Sequence, residues 1–481
     1  MAITKERIEE IIREMNMHFG SSVGSTTTGV RSSSISSQPR GQLGIFSDVE
    51  DAIAAAKASQ IELIALGLEK RRKIVEAMRK AAIDNAEHLA IMAVEETGFG
   101  KVEHKIAKNL LAAEKTPGIE DLVSTTYTGD DGLTLIEGAP FGVIGAITPS
   151  TNPAATIINN GISMVAAGNS VVFNPHPGAK EVTNEAIRIL NKAIMSAGGP
   201  SNVLCSTENP TIESSNTIMK HKDIAILVVT GGEGVVRAAM NSGKKVIAAG
   251  PGNPPVIVDD TADIKKAAKD IVDGASFDNN ILCIAEKEVF VFRNVADRLI
   301  EEMIKNGAYL ANKSTGEIEK IKNTVFETKG GKTVLNKKFV GKSANYILSK
   351  SNIDVNGEYK LIIAEVDATH PFVLTEMLMP VLPIVRVDSI DEAIQKALDA
   401  EQANRHTALM HSQNVTNLTK AARALNTTIF VKNAPSYAGL GYQGEGYTTL
   451  TIATPTGEGL TSARTFTRQR RCTLYGSFRI I

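Results

Sequence analysis

The chain has 481 residues, 43% of them hydrophobic and 22% charged, and its 52 basic and 53 acidic side chains leave a formal net charge of −1. That composition excludes disorder throughout and gives no electrostatic reason to expect nucleic acid or an anionic membrane as the main partner. The length corresponds to about two to four folding units, each large enough to bury its own core without staples.

In chain order, residues 1–19 place Ile8, Ile11, Ile12, Met15 and Phe19 at helical spacing among charged residues, which predicts a short amphipathic helix. Fifteen of the 22 residues over 20–41 are Ser, Thr or Gly, a flexible linker that reaches about 25 Å as a coil. The helix either packs on its own domain or a neighbouring subunit, or acts as a detached tag. Ala-rich helices follow over 49–60, 68–85 and 86–97, with 98–108 read as a connection between helices. Runs rich in Val and Ile at 142–148, 170–174, 224–230, 256–260 and 288–292 predict parallel strands buried on both faces. Helices are expected between them near 156–167, 180–197, 211–220 and 235–242. This alternation is α/β, with a doubly wound parallel sheet early in the chain. The tail SARTFTRQRRCTLYGSF alternates Thr, Phe and Leu with Arg, the pattern of an edge strand that needs another sheet to pair with.

No apolar run approaches the ~20 residues that span a bilayer, and charges interrupt the apolar residues of the first segment, so neither a membrane span nor a signal peptide is expected. Cys205, Cys283 and Cys472 are odd in number and far apart. They form neither a disulfide framework nor a zinc site, which suits a reducing cytoplasm. The eight histidines show no metal-ligand spacing, no metal is expected, and His176 in NPHPG reads as a turn residue.

Candidate chemistry is sparse when each motif stands alone. Thr230, Gly231 and Gly232 follow the most apolar strand and precede a helix, where backbone N–H groups favour an anion such as a pyrophosphate; a tight turn without ligand would use the same glycines. GPGNPP, with Gly250 and Pro251, is a rigid turn that either serves a site or merely joins two strands. Cys283, in SFDNNILCIAEKEV, sits at an element boundary, where a lone cysteine is more often a small buried hydrophobe than a nucleophile. Glu376, in TEMLMPVLPIV, lies in an apolar, strand-forming neighbourhood and either finds a donor or cation there or faces water from an edge.

Taken together and in order, FGVIGAITPSTNPAATIINNGISMVAAGNSVVFNPHPGAK, VVTGG, GPGNPPVIV, FDNNILCIAEKEV, TEMLMPVLPIV, NTTIFVKNAPS and TPTGEGLTSARTFTRQRRC resemble the CoA-acylating branch of the aldehyde dehydrogenase superfamily over about residues 41–472. Within that branch the chain is most similar to the propionaldehyde dehydrogenases of bacterial microcompartments. The resemblance implies the aldehyde dehydrogenase fold. Its Rossmann-like NAD-binding domain would comprise 42–121 and 139–248, its α/β catalytic domain 249–440, and its β-strand oligomerisation flap 122–138 and 441–481.

It also implies Cys283 as the nucleophile, with Asn152, or Thr151 one residue earlier, at the amide that holds the oxyanion. Cofactor-binding positions fall on Thr148, Pro149, Asn174, Pro175, His176, Thr230, Gly231, Gly232, Gly250 and Pro251, with Glu376 on the nicotinamide-side ribose. Hydrolytic members carry a water-activating glutamate where this chain has Ala248 and Ala249, and no carboxylate occurs between Glu233 and Asp259. A thioester there waits for a thiol such as coenzyme A. Asn174 replaces a common lysine and Pro177 a ribose-binding acid, which suits a site that NAD and the adenine end of coenzyme A occupy in turn.

The expected function is NAD- and CoA-dependent oxidation of a short aliphatic aldehyde, propanal foremost, to acyl-CoA by a homo-oligomer, a dimer or dimer of dimers. The expected location is the cytoplasm, within a microcompartment lumen, with residues 1–19 binding a shell protein. The alternatives are an acetaldehyde- or other short-chain-specific acylating enzyme, a CoA-independent semialdehyde dehydrogenase, and a catalytically silent shell-interacting protein.

Overall fold

The computed structural model describes residues 43–481; the helix expected over 1–19 and the linker over 20–41 lie outside the described residues. Six parallel strands form the first sheet in the spatial order Ile45–Phe46, Leu204–Thr207, Ser170–Pro175, Val143–Thr148, Ile224–Thr230 and Lys245–Ala249. Their continuous apolar runs follow from burial on both faces. Ile53, Ala56, Ile218 and Val236 pack on one side against Val172, Leu227 and Val229. Ile157, Ile187 and Leu190 cover the other, against Ile144, Phe173 and Val228. The chain order reverses at Val143–Thr148, between Ser170–Pro175 on one side and Ile224–Thr230 on the other. In such sheets a crevice opens beyond the carboxyl ends of the strands at this point.

A second, seven-stranded parallel sheet runs Ala308–Leu310, Leu361–Glu365, Val381–Val387, Glu288–Phe292, Pro255–Val258, Thr407–His411, Ile429–Lys432. The strand expected over 256–260 is thus Pro255–Val258, and the GPGNPP turn carries the chain from the first sheet into the second. The tail strand Thr467–Tyr475 pairs antiparallel with Gly132–Pro140, which also pairs with Thr125–Gly129. Among the described residues, no helix is long and apolar enough to cross a membrane.

Two expectations need correction. Residues 98–108 are not simply a connection: Gly98, at φ 67°, ends one helix, and a new helix, Val102–Lys115, begins four residues later. Its buried face carries Lys105, Lys108 and Asn109 beside Leu111 and Ala112, so the apolar periodicity that would reveal it is broken by polar residues. The second concerns 441–481, assigned whole to the flap. Of that segment only Thr467–Tyr475 joins the three-stranded sheet. Residues 449–466 pack back on the first layer, with Leu450 N–H donating to Asn159 at 2.9 Å, the Thr451 hydroxyl donating to Asn160 at 3.0 Å, and Ala453, Ala463 and Phe466 in its core. Helix Pro153–Ala166 buries both asparagines, whose amides need these partners.

Candidate active site

The carboxyl ends of the first sheet's strands stand in register, Thr148 beside Pro175 and Thr230 beside Ala249. His176 N–H donates to the Thr148 carbonyl at 3.1 Å and Gly231 N–H to the Ala249 carbonyl at 3.2 Å, tying the tips in pairs. The Thr148 hydroxyl is buried with no hydrogen-bond partner among the described residues, a donor and acceptor left for something in the crevice. Pro149 follows it, half-buried. Gly232 caps helix Glu233–Met240, and a Cβ on Gly232 or Gly234 would meet nothing within 4 Å, so this helix start faces open space. At the neighbouring tip Asn174 accepts the Ser214 hydroxyl at 2.6 Å, while the exposed His176 uses Nδ1 to accept Gly178 N–H at 3.1 Å, as a turn residue does. Free N–H groups and an orphaned hydroxyl at a switch point fit an anionic dinucleotide.

The second cluster is the cysteine loop. Helix Ile264–Ser276 ends at Phe277, and Asp278, Asn279 and Asn280 then take φ values of 49°, 53° and 64°. Three consecutive non-glycine residues in the left-handed region persist only where surroundings over-determine them. Asp278 N–H donates to His104 Nδ1 at 2.8 Å; its carboxylate accepts Lys101 N–H at 2.8 Å, Lys105 Nζ at 3.2 Å and Lys108 Nζ. The Asn279 amide donates to the Gly341 carbonyl at 2.8 Å, and the Asn280 amide to the carbonyls of Ala275 and Glu286 at 2.8 and 3.0 Å. Lys287, 1% exposed, donates to Asn280 O at 3.0 Å, Asn280 Oδ1 at 2.7 Å and Leu282 O at 3.0 Å. These three acceptors match the three protons of an ammonium. Cys283 emerges from this clamp partly exposed, whereas Cys205 is buried in the first sheet and Cys472 exposed on the tail strand.

Gly252 links this loop to Glu376. A Cβ there would lie 2.8 Å from the His406 ring and 2.9 Å from the Cys283 carbonyl, so no other residue fits without displacing one of them. The GPGNPP segment therefore braces the cysteine as well as joining two sheets, with Gly250 and Pro251 half-buried beside it. The Gly252 N–H lies close enough to the Glu376 carboxylate to favour its charged form. It belongs to no strand, contrary to the sequence expectation. It stands half-buried in the loop between helix Pro371–Leu374 and strand Val381–Val387, because the apolar run around it enters the sheet only at Val381. Burial pushes its carboxyl up to about 7 against the pull of Lys287. Burial also pushes the Cys283 thiol up to about 12; the Glu376 charge adds to the rise, and Lys287 and Lys108 oppose it.

Asn152 is the buried N-cap of helix Pro153–Ala166, but its side chain does not cap the helix; its Oδ1 accepts Lys108 Nζ. Thr151 is half-buried beside it, and its carbonyl accepts Lys105 Nζ at 3.4 Å. Lys108 also lines an apolar pocket with Leu111, Phe277, Leu282, Tyr437 and Tyr442, next to the cysteine. The Phe277 ring is stacked on His104 at 4.4 Å and flanked by Tyr437 and Tyr442 at 5.4 and 5.7 Å. Ala248 and Ala249 are buried methyl groups at the strand tip leading to Gly252, and Ala248 N–H donates to the Thr456 hydroxyl at 3.0 Å. A groove of about 590 Å³ between helices Gly67–Asp84 and Lys180–Ser196 is separate from all these groups.

The structure thus gathers Cys283, Gly252 and Glu376 at one place and Thr148, Pro175, Thr230 and Gly231 at another. Sequence reasoning missed Lys105, Lys108, Asp278, Gly252, Lys287 and His406. For two of them a signal existed: Asp278 and Lys287, with Asn279, Asn280 and Glu286, bracket the short apolar run 281–285 that holds Cys283, and charges beside such a run need partners.

Residues 42–446 match the aldehyde dehydrogenase family. The acetylating acetaldehyde dehydrogenase EutE of Salmonella typhimurium is 49% identical over 452 residues, covering 93% of this chain and 96% of the relative. A propionaldehyde dehydrogenase from the fucose utilisation bacterial microcompartment of Clostridium phytofermentans is 52% identical and superposes with a TM-score of 0.89, covering 91% of this chain and all of the other. A Rhodopseudomonas palustris propionaldehyde dehydrogenase, solved with bound CoA and an acylated cysteine, is 49% identical with a TM-score of 0.88, covering 90% of this chain and 98% of the other.

The charges around Cys283 generate a testable sign. With the thiol near 12, its alkylation by iodoacetamide should climb about tenfold per pH unit between about pH 8 and 10, where Glu376 is already ionised, without a plateau, because the thiolate is the reactive form. Glu376→Gln keeps an acceptor for Gly252 N–H but removes the anion that holds the thiol up, so alkylation at fixed pH should accelerate. An unchanged or slower rate would contradict this electrostatic picture.

Proposed function

The chain belongs to the aldehyde dehydrogenase family, and from that premise we propose that it oxidises a short aliphatic aldehyde, propanal foremost, to the corresponding acyl-CoA with NAD as hydride acceptor. Cys283 Sγ bonds to the aldehyde carbon, giving a thiohemiacetal whose oxygen faces the amide of Asn152. Loss of hydride from that carbon and of the hydroxyl proton leaves a thioester on Cys283. Attack by a thiol on the thioester carbonyl releases acyl-CoA and restores the cysteine. When bound, NAD takes up the hydride and coenzyme A supplies the thiol. Thr148, Thr230, Gly231 and Gly232 at the strand tips, with Asn174, Pro175 and His176 beside them, are the residues that would hold the dinucleotide, and Glu376 the nearer ribose.

The observation that carries the acylating reading is the pair of buried methyl groups at Ala248 and Ala249. Without a carboxylate at that tip, water next to the thioester lacks a base there, and a thiol, the better nucleophile, discharges the acyl group. The CoA and acylated cysteine bound in the Rhodopseudomonas palustris relative support the same reading. Likeness to a microcompartment enzyme supports placing this chain in a microcompartment lumen, with residues 1–19 as the shell-binding element. The antiparallel sheet of Thr125–Gly129, Gly132–Pro140 and Thr467–Tyr475, largely exposed, supports a homo-oligomer built through that flap.

With aldehyde and NAD but no CoA, stopped-flow absorbance should record at most about one NADH per active site before turnover slows, and CoA should restore steady turnover. Ala249→Glu should raise CoA-independent acid formation, since general-base assistance is worth about 10²- to 10⁴-fold. Fast, sustained acid production by the unaltered enzyme would mean that another group, Glu376 first among them, activates water, and the acylating reading would fall.

Deletion of residues 1–19 should leave the specific activity of the purified enzyme intact and abolish its co-sedimentation with shells. Equal co-sedimentation of the full-length and shortened chains would refute the targeting role.

A further inference from the structure

Asn152 is gripped from one side only. Its Oδ1 accepts Lys108 Nζ, while its Nδ2 has a single long contact, 3.4 Å to the Thr151 hydroxyl. A carboxamide flips about χ2 with little intrinsic preference, so a lone asparagine could offer either its oxygen or its N–H protons to a substrate. An ammonium has three donors and no acceptor, which removes the choice: the oxygen faces Lys108 and the N–H protons face away.

Lys108 is itself fixed. It is 4% exposed and donates to Asp278, which is fully buried at the head of the cysteine loop. Lys105, 3% exposed, shares that carboxylate and also reaches the Thr151 carbonyl, so one buried carboxylate ties the asparagine loop to the cysteine loop. We propose that Lys108, anchored by Asp278, is a positioning residue that locks the Asn152 carboxamide with its N–H protons toward the thiohemiacetal oxygen. This rests on Cys283 as nucleophile and Asn152 as oxyanion donor. The ammonium also polarises the amide and strengthens its N–H donors, because hydrogen bonds in a chain reinforce one another.

Two cations against one anion mean that Lys108 can be neutralised without stranding a charge: Lys108→Met leaves Lys105 paired with Asp278. The test is NADH formation by Asn152→Ala, by Lys108→Met and by the double variant, in the CoA-coupled reaction. Lys108→Met should lower kcat by about 10²-fold, the usual loss of one oxyanion donor, with the aldehyde KM nearly unchanged. On the Asn152→Ala background the same substitution should cost less than about threefold, because the group it acts through is gone. If Lys108→Met does not fold, Lys108→Arg and Lys108→Gln serve instead. Arginine keeps donors only and should retain most of the activity, whereas glutamine offers both ends of an amide and should lose it.

Multiplicative losses in the double variant, a loss confined to KM, or equal activity of the Arg and Gln variants would overturn the positioning role. With Cys283→Ala inactive, those results would leave the nucleophile reading standing. Turnover by Cys283→Ala would overturn both together.

Discussion

The Asp278 carboxylate is wholly out of water, and the two ammonium groups that meet it come from one face of a helix about 170 residues earlier in the chain. Burial alone would push its carboxyl up; Lys108 and Lys105 outweigh that effect and hold it below the usual carboxylate range. On Lys105 the balance runs the other way: burial and the neighbouring Lys108 bring it down to about 8 against the attraction of Asp278. Removing one member of a buried pair typically costs about 3–5 kcal/mol, because an uncompensated charge stays behind. A substantial penalty therefore attaches to any arrangement in which helix Val102–Lys115, the asparagine loop and the cysteine loop separate. That carboxylate stands at the head of the left-handed run over Asp278, Asn279 and Asn280.

From this joint the two halves of the site follow. The first sheet contributes strand tips aligned by parallel register, with an unpartnered hydroxyl and an open helix start at the switch point. The second layer contributes the cysteine, on a loop whose Asn280 and Leu282 carbonyls Lys287 ties together and whose Cys283 carbonyl lies close against Gly252. GPGNPP is the covalent bridge between them, which explains its rigidity: a mobile link would let the cysteine drift relative to the tips. The thiol sits among opposed charges, Glu376 raising its affinity for the proton and two lysines lowering it, so its reactivity is sensitive to whatever neutralises Glu376.

Much of the fold was legible because parallel strands buried on both faces read as unbroken apolar runs. The run over 142–148 is strand Val143–Thr148, and that over 224–230 is Ile224–Thr230. Helix Val102–Lys115 was not legible, since periodicity scores apolar faces and this one is built from Lys105, Lys108 and Asn109. The return of 449–466 to the first layer was hidden for a related reason: its threonines answer Asn159 and Asn160, some 290 residues away, and no local pattern encodes that distance. Glu376 was drawn into a strand by its apolar neighbours, although the sheet begins only at Val381. Cys283 stood out by resemblance alone. Composition and spacing left it an ordinary buried cysteine, because the groups that distinguish it, Gly252, Lys108 and Glu376, come from distant segments.

Cys283 is the residue proposed to carry the acyl group, presented by a loop whose ends Asp278 and Lys287 anchor. Peptide mass mapping of the enzyme after incubation with propanal and NAD, quenched before any CoA is added, addresses this directly. The expected result is the mass of one propanoyl group on the peptide containing Cys283, none on those containing Cys205 or Cys472, and loss of the label when CoA is supplied. NADH formation with the label on another residue, or with no label at all, would contradict it.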